Sequence, residues 1–138
     1  MRRAIVAAAA LLLGGAAGAQ AQDTVPNFVG TWWGEFEVAV MGRSGGGTPQ
    51  VEKVTYTYEL TGQSDRLLWG TVSSDGSTGT RPIVLAFSFN NGTLIGSDPT
   101  GFHRFTVISP TRMESCFTDN GSGSLVATCG ILDREHSR

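Results

Sequence analysis

The stretch VPNFVGTWWGEFEVAV, residues 25–40, decides the fold class because its apolar residues recur with a period of two. The even positions are apolar or glycine, whereas the odd positions carry Glu35 and Glu37. Successive side chains of a β-strand point to opposite faces, so this alternation is typical of a strand with one buried face. We therefore expect Trp32 inside the protein and its neighbour Trp33 on the outer surface.

Seven further runs with strand character follow, separated by short segments rich in Gly, Ser, Asn and Asp. Helical periodicity is hard to find. Eight short strands joined in sequence predict an all-β fold, namely an eight-stranded antiparallel up-and-down β-barrel, with a two-layer sandwich as the alternative. The predicted strands are 28–40, 51–60, 67–73, 83–89, 93–97, 102–108, 112–118 and 125–134.

The chain opens with the pattern of a secretory signal peptide. Two arginines precede an apolar run at 4–13, and an A-x-A cleavage site follows at 19–21. The apolar run is too short to span a bilayer, and no lipid-anchoring Cys follows it. We therefore interpret residues 1–21 as a signal peptide cleaved after about Ala21 and residues 22–138 as a single domain, periplasmic or secreted.

The charge pattern excludes two classes of partner. Removal of Arg2 and Arg3 with the signal peptide takes the formal net charge from −2 to −4, and Lys53 is the only lysine. Binding to nucleic acid requires a concentrated basic patch, and so does adhesion to an anionic membrane. We therefore expect no nucleic acid and no membrane anchor.

Cys116 and Cys129 are the only cysteines. Two cysteines in an oxidising compartment usually pair, and a hairpin centred between them places one opposite the other. A zinc site would need more ligands at closer spacing. We predict a disulfide on the outward face of the last two strands, so that the even residues of the last strand, up to Arg134, face inward.

The motif Gly30-Thr31-Trp32 on the first strand resembles the G-x-W motif of lipocalins and related calycin barrels, including avidins. The resemblance implies that Trp32 closes one end of the barrel and that an arginine from near the chain's end, here Arg134, packs across it. The segments MESCF and VATCGILDR are similar to small exported bacterial proteins of uncharacterised function with lipocalin-like barrels.

Catalytic groups are sparse. His103 lies within a predicted strand, where we expect an ordinary strand histidine, and His136 lies near the C-terminus. Glu35 and Glu37 share one face but are expected in solvent. Asp98 lies in a turn, where Asp is common. We therefore expect no enzyme activity, no metal and no cofactor.

Inward aromatic residues suggest a site for a small, largely apolar ligand. The predicted lining residues are Trp32, Phe36, Tyr56, Tyr58 and Phe87. The alternative is that these side chains fill the barrel and that the protein acts as an interaction or inhibitor module for an envelope protein. In that case we expect contacts from the loops 41–50 and 73–82 and from the exposed Trp33.

Two orientations stay open from the sequence. In LLWGTVS, Leu67 and Trp69 share one face while Leu68 and Val72 share the other, and neither set is favoured. In the last strand the outward residues are as apolar as the inward ones, and a bulge near Gly130 would accommodate both sets.

Overall fold

The computed structural model of the chain describes residues 24–42, 48–76, 79–119 and 123–135. Each strand pairs antiparallel with its sequence neighbours, and the last pairs with the first, so the sheet closes into a barrel. The predicted eight-stranded up-and-down barrel is confirmed. The strands are β1 Gly30–Gly42, β2 Gln50–Ser64, β3 Leu67–Ser74, β4 Arg81–Phe87, β5 Thr93–Asp98, β6 Gly101–Ser109, β7 Arg112–Asp119 and β8 Ser124–Arg134.

Several of the sequence expectations fall outside the described residues. These are the signal peptide at residues 1–21, His136, and the loop residues 43–47 and 77–78. The described part of the chain has no helix with the length and apolar character needed to cross a membrane.

β1 has the orientation that its alternation predicts. Trp32 is fully buried, whereas Trp33 keeps 51% of its surface exposed. Trp32 lies opposite Tyr58 of β2, and Phe36 lies opposite Val54 in the same pairing. Apolar burial therefore sets the register of β1 against its neighbour.

The structure also settles the orientation of β3. Leu68 and Val72 are buried, while Leu67 and Trp69 are exposed. The register of β2 against β3 shifts just before Gly62, which then lies opposite Trp69. A Cβ atom on Gly62 would collide with the Trp69 indole, so glycine at this bulge lets the ring lie flat on the sheet.

β4 begins and ends two residues earlier than predicted, which corrects the placement of Phe89. The strand ends at Phe87, and the chain turns because the Ser88 amide donates to the Thr93 carbonyl oxygen at 2.8 Å. The turn includes Asn91 at a φ of 55°, the conformation that favours Asn in a hairpin connection. Phe89 does not share the buried face, and is almost fully exposed.

The last hairpin carries the predicted disulfide. Cys116 and Cys129 are bonded and lie directly opposite each other. The pairing of β7 with β8 keeps one register over all the residues described, so the bulge considered at Gly130 is absent there. Gly130 instead makes room for Phe36, whose ring would lie 2.7 Å from a Cβ atom at that position. The outward Leu125 is half exposed.

Candidate functional site

One end of the barrel is closed by the segment that precedes β1. The Phe28 ring stacks on Trp32 with 5.2 Å between centroids, and the Trp32 Nε1 group donates a 2.9 Å hydrogen bond to the Phe28 carbonyl oxygen. Gln63 of β2 accepts from the Phe28 amide and donates to the Pro26 carbonyl oxygen. We name this the plugged end; the opposite end carries the β5–β6 turn.

Arg134 completes the plugged end. Its guanidinium carbon lies 5.5 Å from the centre of the Trp32 ring, a contact that contributes about 0.5–2 kcal/mol. The guanidinium also donates to the carbonyl oxygen of Val29. Gly30 allows this approach, because a Cβ atom there would lie 3.2 Å from Arg134 Nε. The structure thus places Gly30, Trp32 and Arg134 together in one closure of the barrel.

The five side chains predicted to bind a ligand all point into the barrel, and each is more than nine-tenths buried. Each also lies against another aromatic ring, as aromatic side chains do in cores. The Phe36 and Tyr56 rings are 5.1 Å apart, for example, and Phe87 lies 5.4 Å from Phe28. The structure therefore places Trp32, Phe36, Tyr56, Tyr58 and Phe87 within one packed interior.

Polar side chains run between these rings. The Tyr58 hydroxyl lies 3.2 Å from Nδ1 of His103 and 3.4 Å from Oγ of Ser115. His103 is only 3% exposed, and the other two side chains are buried as fully. They come from β2, β6 and β7, so closure of the barrel is what brings these three groups together.

Asp98 links this group to the β5–β6 turn. One carboxylate oxygen accepts from the amide and hydroxyl of Thr100 at 2.7 Å and from the Gly101 amide at 2.9 Å. The other oxygen accepts from Arg81 Nε at 3.0 Å and lies 3.3 Å from His103 Nε2. We name Arg81, Asp98, His103, Tyr58 and Ser115 the buried polar chain.

The surroundings hold Asp98 in its charged form. Burial raises the pKa of a carboxyl group, but the hydrogen bonds from Thr100 and the guanidinium of Arg81 act more strongly together and lower the pKa of Asp98 to about 2. Its side chain has no exposed surface. The negative charge of this buried carboxylate is thus stabilised by hydrogen bonds from Arg81, Thr100 and Gly101.

His103 is held in its neutral form. Burial lowers its pKa because the charged ring would lose hydration, and the Asp98 carboxylate opposes that shift only in part. One proton arrangement fits the distances: Nε2–H faces Asp98, and Nδ1 accepts from Tyr58. The Nε2 group is not aligned for a full hydrogen bond. Burial raises the pKa of Tyr58, so its hydroxyl stays protonated.

Asp98, His103 and a hydroxyl follow one another in the order that activates a nucleophile in many hydrolases. Both hydroxyl groups are buried, however, and the Phe117 ring packs on His103 with 4.7 Å between centroids. The buried polar chain can therefore hold protons and accept hydrogen bonds, but its His103, Tyr58 and Ser115 side chains do not face solvent. No three His, Cys, Asp or Glu side chains of the described residues are close enough to share a metal ion.

The outer surface of β3 to β6 contrasts with the buried polar chain, because it presents apolar side chains to solvent. Apolar and small side chains follow the strand pairing in two adjacent rows, the first across four strands and the second across β3 to β5. One row is Trp69, Val84, Ser97 and Phe102, and the other is Leu67, Ala86 and Ile95. We name these seven residues the outer apolar face.

The outer apolar face is well exposed and concave. Its five large side chains keep between 46% and 62% of their surface accessible. Four of them, Leu67, Val84, Ile95 and Phe102, border a groove of about 550 Å³ whose floor includes Gly96. A smaller groove of about 190 Å³ lies elsewhere on the outer surface, between Met41 and Leu125.

The sequence analysis predicted neither the buried polar chain nor the outer apolar face, although the alternation of β6 carries a signal for both. In FHRFTVI, Phe102 and Arg104 share one face of the strand while His103 and Phe105 share the other. Burial of Phe105 therefore forces His103 inward and Phe102 outward. The expected role of Asp98 in a turn accounts for only one of its carboxylate oxygens, the one that accepts from Thr100 and Gly101.

The comparisons with known proteins are sparse. No family model matches the chain, and no curated protein matches it. Among solved structures, the chain is similar to the S-type phycobiliprotein lyase CPES from Guillardia theta, with 14% identity, 80% of this chain and 90% of the other covered, and a TM-score of 0.49. It is also similar to a redesigned β-barrel, with 16% identity, 81% and 92% covered, and a TM-score of 0.49. At these values neither structure indicates what the chain binds.

Proposed function

We propose that this protein is a filled, lipocalin-like barrel that acts as a protein-interaction module through its outer apolar face. The observation that carries the proposal is a group of five half-exposed apolar side chains on neighbouring strands, namely Trp69, Val84, Phe102, Leu67 and Ile95. Contiguous apolar patches of several hundred Å² are uncommon on monomers and often mark interaction sites.

The closed barrel limits how a partner can bind. Every described strand pairs on both sides, so no strand edge is available to receive a strand of another chain. A partner must therefore bind through side chains. The aromatic rings of Trp69 and Phe102 are the natural anchors, since such residues dominate binding energy at interfaces.

The packed interior supports the interaction module over a ligand carrier. An eight-stranded barrel has an interior that side chains can just fill. Here the rings of Tyr56, Phe36 and Phe117 occupy the region near the buried polar chain. The proposal accordingly includes no catalytic step and no cofactor.

Export to the periplasm or outside the cell is part of the proposal. It is supported by the signal-peptide pattern at residues 1–21 and by the Cys116–Cys129 disulfide, because disulfides persist mainly in oxidising compartments. The partner is then an envelope or extracellular protein.

A matched pair of variants on β6 tests the proposal. Phe102→Arg places a charge on the outer apolar face, whereas Ile108→Arg makes the same change at a similarly exposed site, about 20 Å further along the strand. Proteins crosslinked to the immobilised barrel in an envelope extract should be lost with Phe102→Arg and kept with Ile108→Arg. Equal capture by both variants and the wild type would contradict the proposal.

A second candidate function is the binding of a small, largely apolar or aromatic ligand inside the barrel. The specific observation in its favour is the buried polar chain, because the Tyr58 hydroxyl and His103 could orient a polar group of the ligand. Binding would require the Tyr56 ring to swing away from the interior.

Native mass spectrometry separates the second candidate from the first. A non-covalent mass that is released on denaturation, and that is lost in a folded Tyr56→Ala variant, would favour a ligand. A native mass equal to the oxidised polypeptide, unchanged after incubation with cell extract, would eliminate this candidate. The capture experiment with Phe102→Arg and Ile108→Arg does not depend on the outcome of this mass measurement.

A further inference from the structure

We infer that the partner of the outer apolar face is a second copy of this chain, bound face to face about a two-fold axis. This inference rests on the proposed function, because it names the partner of the same surface. The arguments come from the charge, the shape and the area of the face.

The absence of charged residues from the outer apolar face favours an identical surface as its partner. Its seven residues include no Asp, Glu, Lys or Arg, and the first charged neighbour along the strand pairing is Arg104, opposite Ile95. Two-fold pairing brings each residue near the axis close to its own copy, so a charge there would repel itself. A partner chosen by charge would instead need charged groups on this face.

The shape of the face complements itself. The Phe102 ring lies on the outer strand β6, at one side of the groove, and the small side chains of Ala86 and Ser97 lie on β4 and β5 between Val84 and Ile95. A two-fold rotation can set the Phe102 ring of each copy into the groove of the other. The groove of about 550 Å³ leaves room for such a side chain.

The area is near the size that a stable dimer needs. Five large side chains, each exposed by about half or more, present several hundred Å² of apolar surface. Specific interfaces bury about 800 Å² on each partner, with an apolar centre and a polar rim. Arg104 and the polar ends of the neighbouring strands would supply that rim.

Sedimentation velocity of the exported, oxidised protein tests the inference. We expect the wild type and Ile108→Arg to shift from one chain to two as the concentration rises from about 1 to about 300 μM. Phe102→Arg should weaken the dimer by at least about 100-fold, because it buries an unpaired charge. Val84→Arg, at the centre of the face, should do the same, and circular dichroism confirms that each variant is folded.

Two results would overturn the inference. One is a wild type that stays monomeric over the whole range; the other is a dimer that persists in folded Phe102→Arg and Val84→Arg. Assemblies larger than two chains would also overturn it, since they indicate head-to-tail contacts.

The combined results distinguish failure of the dimer inference from failure of the proposed function. A monomeric wild type whose captured partner is lost only with Phe102→Arg overturns the inference and keeps the interaction module. A monomeric wild type that captures the same proteins as both β6 variants overturns both.

Discussion

Strands β1 and β6 each place aromatic residues inside the barrel and one large aromatic residue outside it, Trp33 and Phe102, yet the two exposed rings have different neighbours. On β1 the buried Trp32 shares its face with apolar residues, and the exposed Trp33 is followed on its own face by Glu35 and Glu37. On β6 the exposed Phe102 borders the same groove as Val84 and Ile95, while its neighbour His103 is buried beside the Tyr58 hydroxyl.

The difference shows that two kinds of force set strand orientation in this barrel. Burial of apolar surface is sufficient to fix β1. On β6, burial of Phe105 acts together with the contacts that His103 makes to Tyr58 and Asp98. Phe102 gains little from the fold, because 62% of its surface stays exposed.

The largest effect should separate the two tryptophans of β1. Trp32→Ala removes a fully buried ring that Phe28 and Arg134 contact, and should lower the free energy of unfolding by about 3–5 kcal/mol. Trp33→Ala, the adjacent control, should lower it by less than about 1 kcal/mol, because its side chain is half exposed. Urea denaturation measures both, and equal losses would contradict the assigned faces.

A smaller effect should appear when the charge of the buried polar chain is removed. Asp98→Asn weakens the acceptor of Arg81 and the Thr100 turn, and should lower the free energy of unfolding by about 1–3 kcal/mol. The control Asp133→Asn removes an exposed partner of Arg112 at 3.7 Å, which should change stability by about 0.5 kcal/mol or less. Similar values for the two variants would mean that Asp98 is not structurally important.

The neutral state of His103 predicts a dependence of stability on pH. Because its pKa is lowered in the folded protein, the unfolded chain binds the proton more readily. The free energy of unfolding should therefore fall as the pH drops below about 6.5, by about 1.4 kcal/mol for each pH unit down to the folded pKa. Asp98, with its pKa of about 2, adds its own loss only at more acidic pH.

Urea denaturation between about pH 8 and pH 5 checks this dependence. In His103→Gln the free energy of unfolding should depend less on pH. In His136→Gln, the change at the other histidine of the chain, the dependence on pH should stay as in the wild type. A slope that survives in His103→Gln would assign the titration to another group.

The smallest effect should come from the outer side of β6. Phe102→Thr keeps a residue that favours strands and removes an exposed ring, so the unfolding free energy should change by about 0.5 kcal/mol or less. Ile108→Thr, on the same strand, is the control for stability. A loss above about 2 kcal/mol for Phe102→Thr alone, measured in urea on monomeric protein, would place that ring in the core.

The period-two pattern of β1, the turn residues and the cysteine pair predicted the barrel, most strand bounds and the disulfide, because these depend on local chemistry. The orientation of β3 did not follow from its own residues. It depends on the register shift before Gly62 in the neighbouring strand, and a bulge reverses the phase that alternation alone would give.

The buried polar chain could not be predicted for a different reason. Its hydrogen bonds join residues 17, 45 and 57 positions apart, and closure of the sheet is what brings Tyr58 of β2 to His103 and Ser115. The outer apolar face likewise depends on how four strands align, since Trp69 pairs with Val84, and Ser97 of β5 links Val84 to Phe102.

The hydrogen bond from Arg134 to Val29 spans 105 positions of the chain, and this span has a kinetic consequence. Contacts between such distant residues form slowly, because the loop entropy is lost before the contact is gained. A chain that crosses a membrane with its N-terminus first must hold β1 unpaired on one side until β8 arrives. Completion of the barrel is then a late event, and a chain truncated before β8 would leave β1 and β7 as open edges that pair with other molecules.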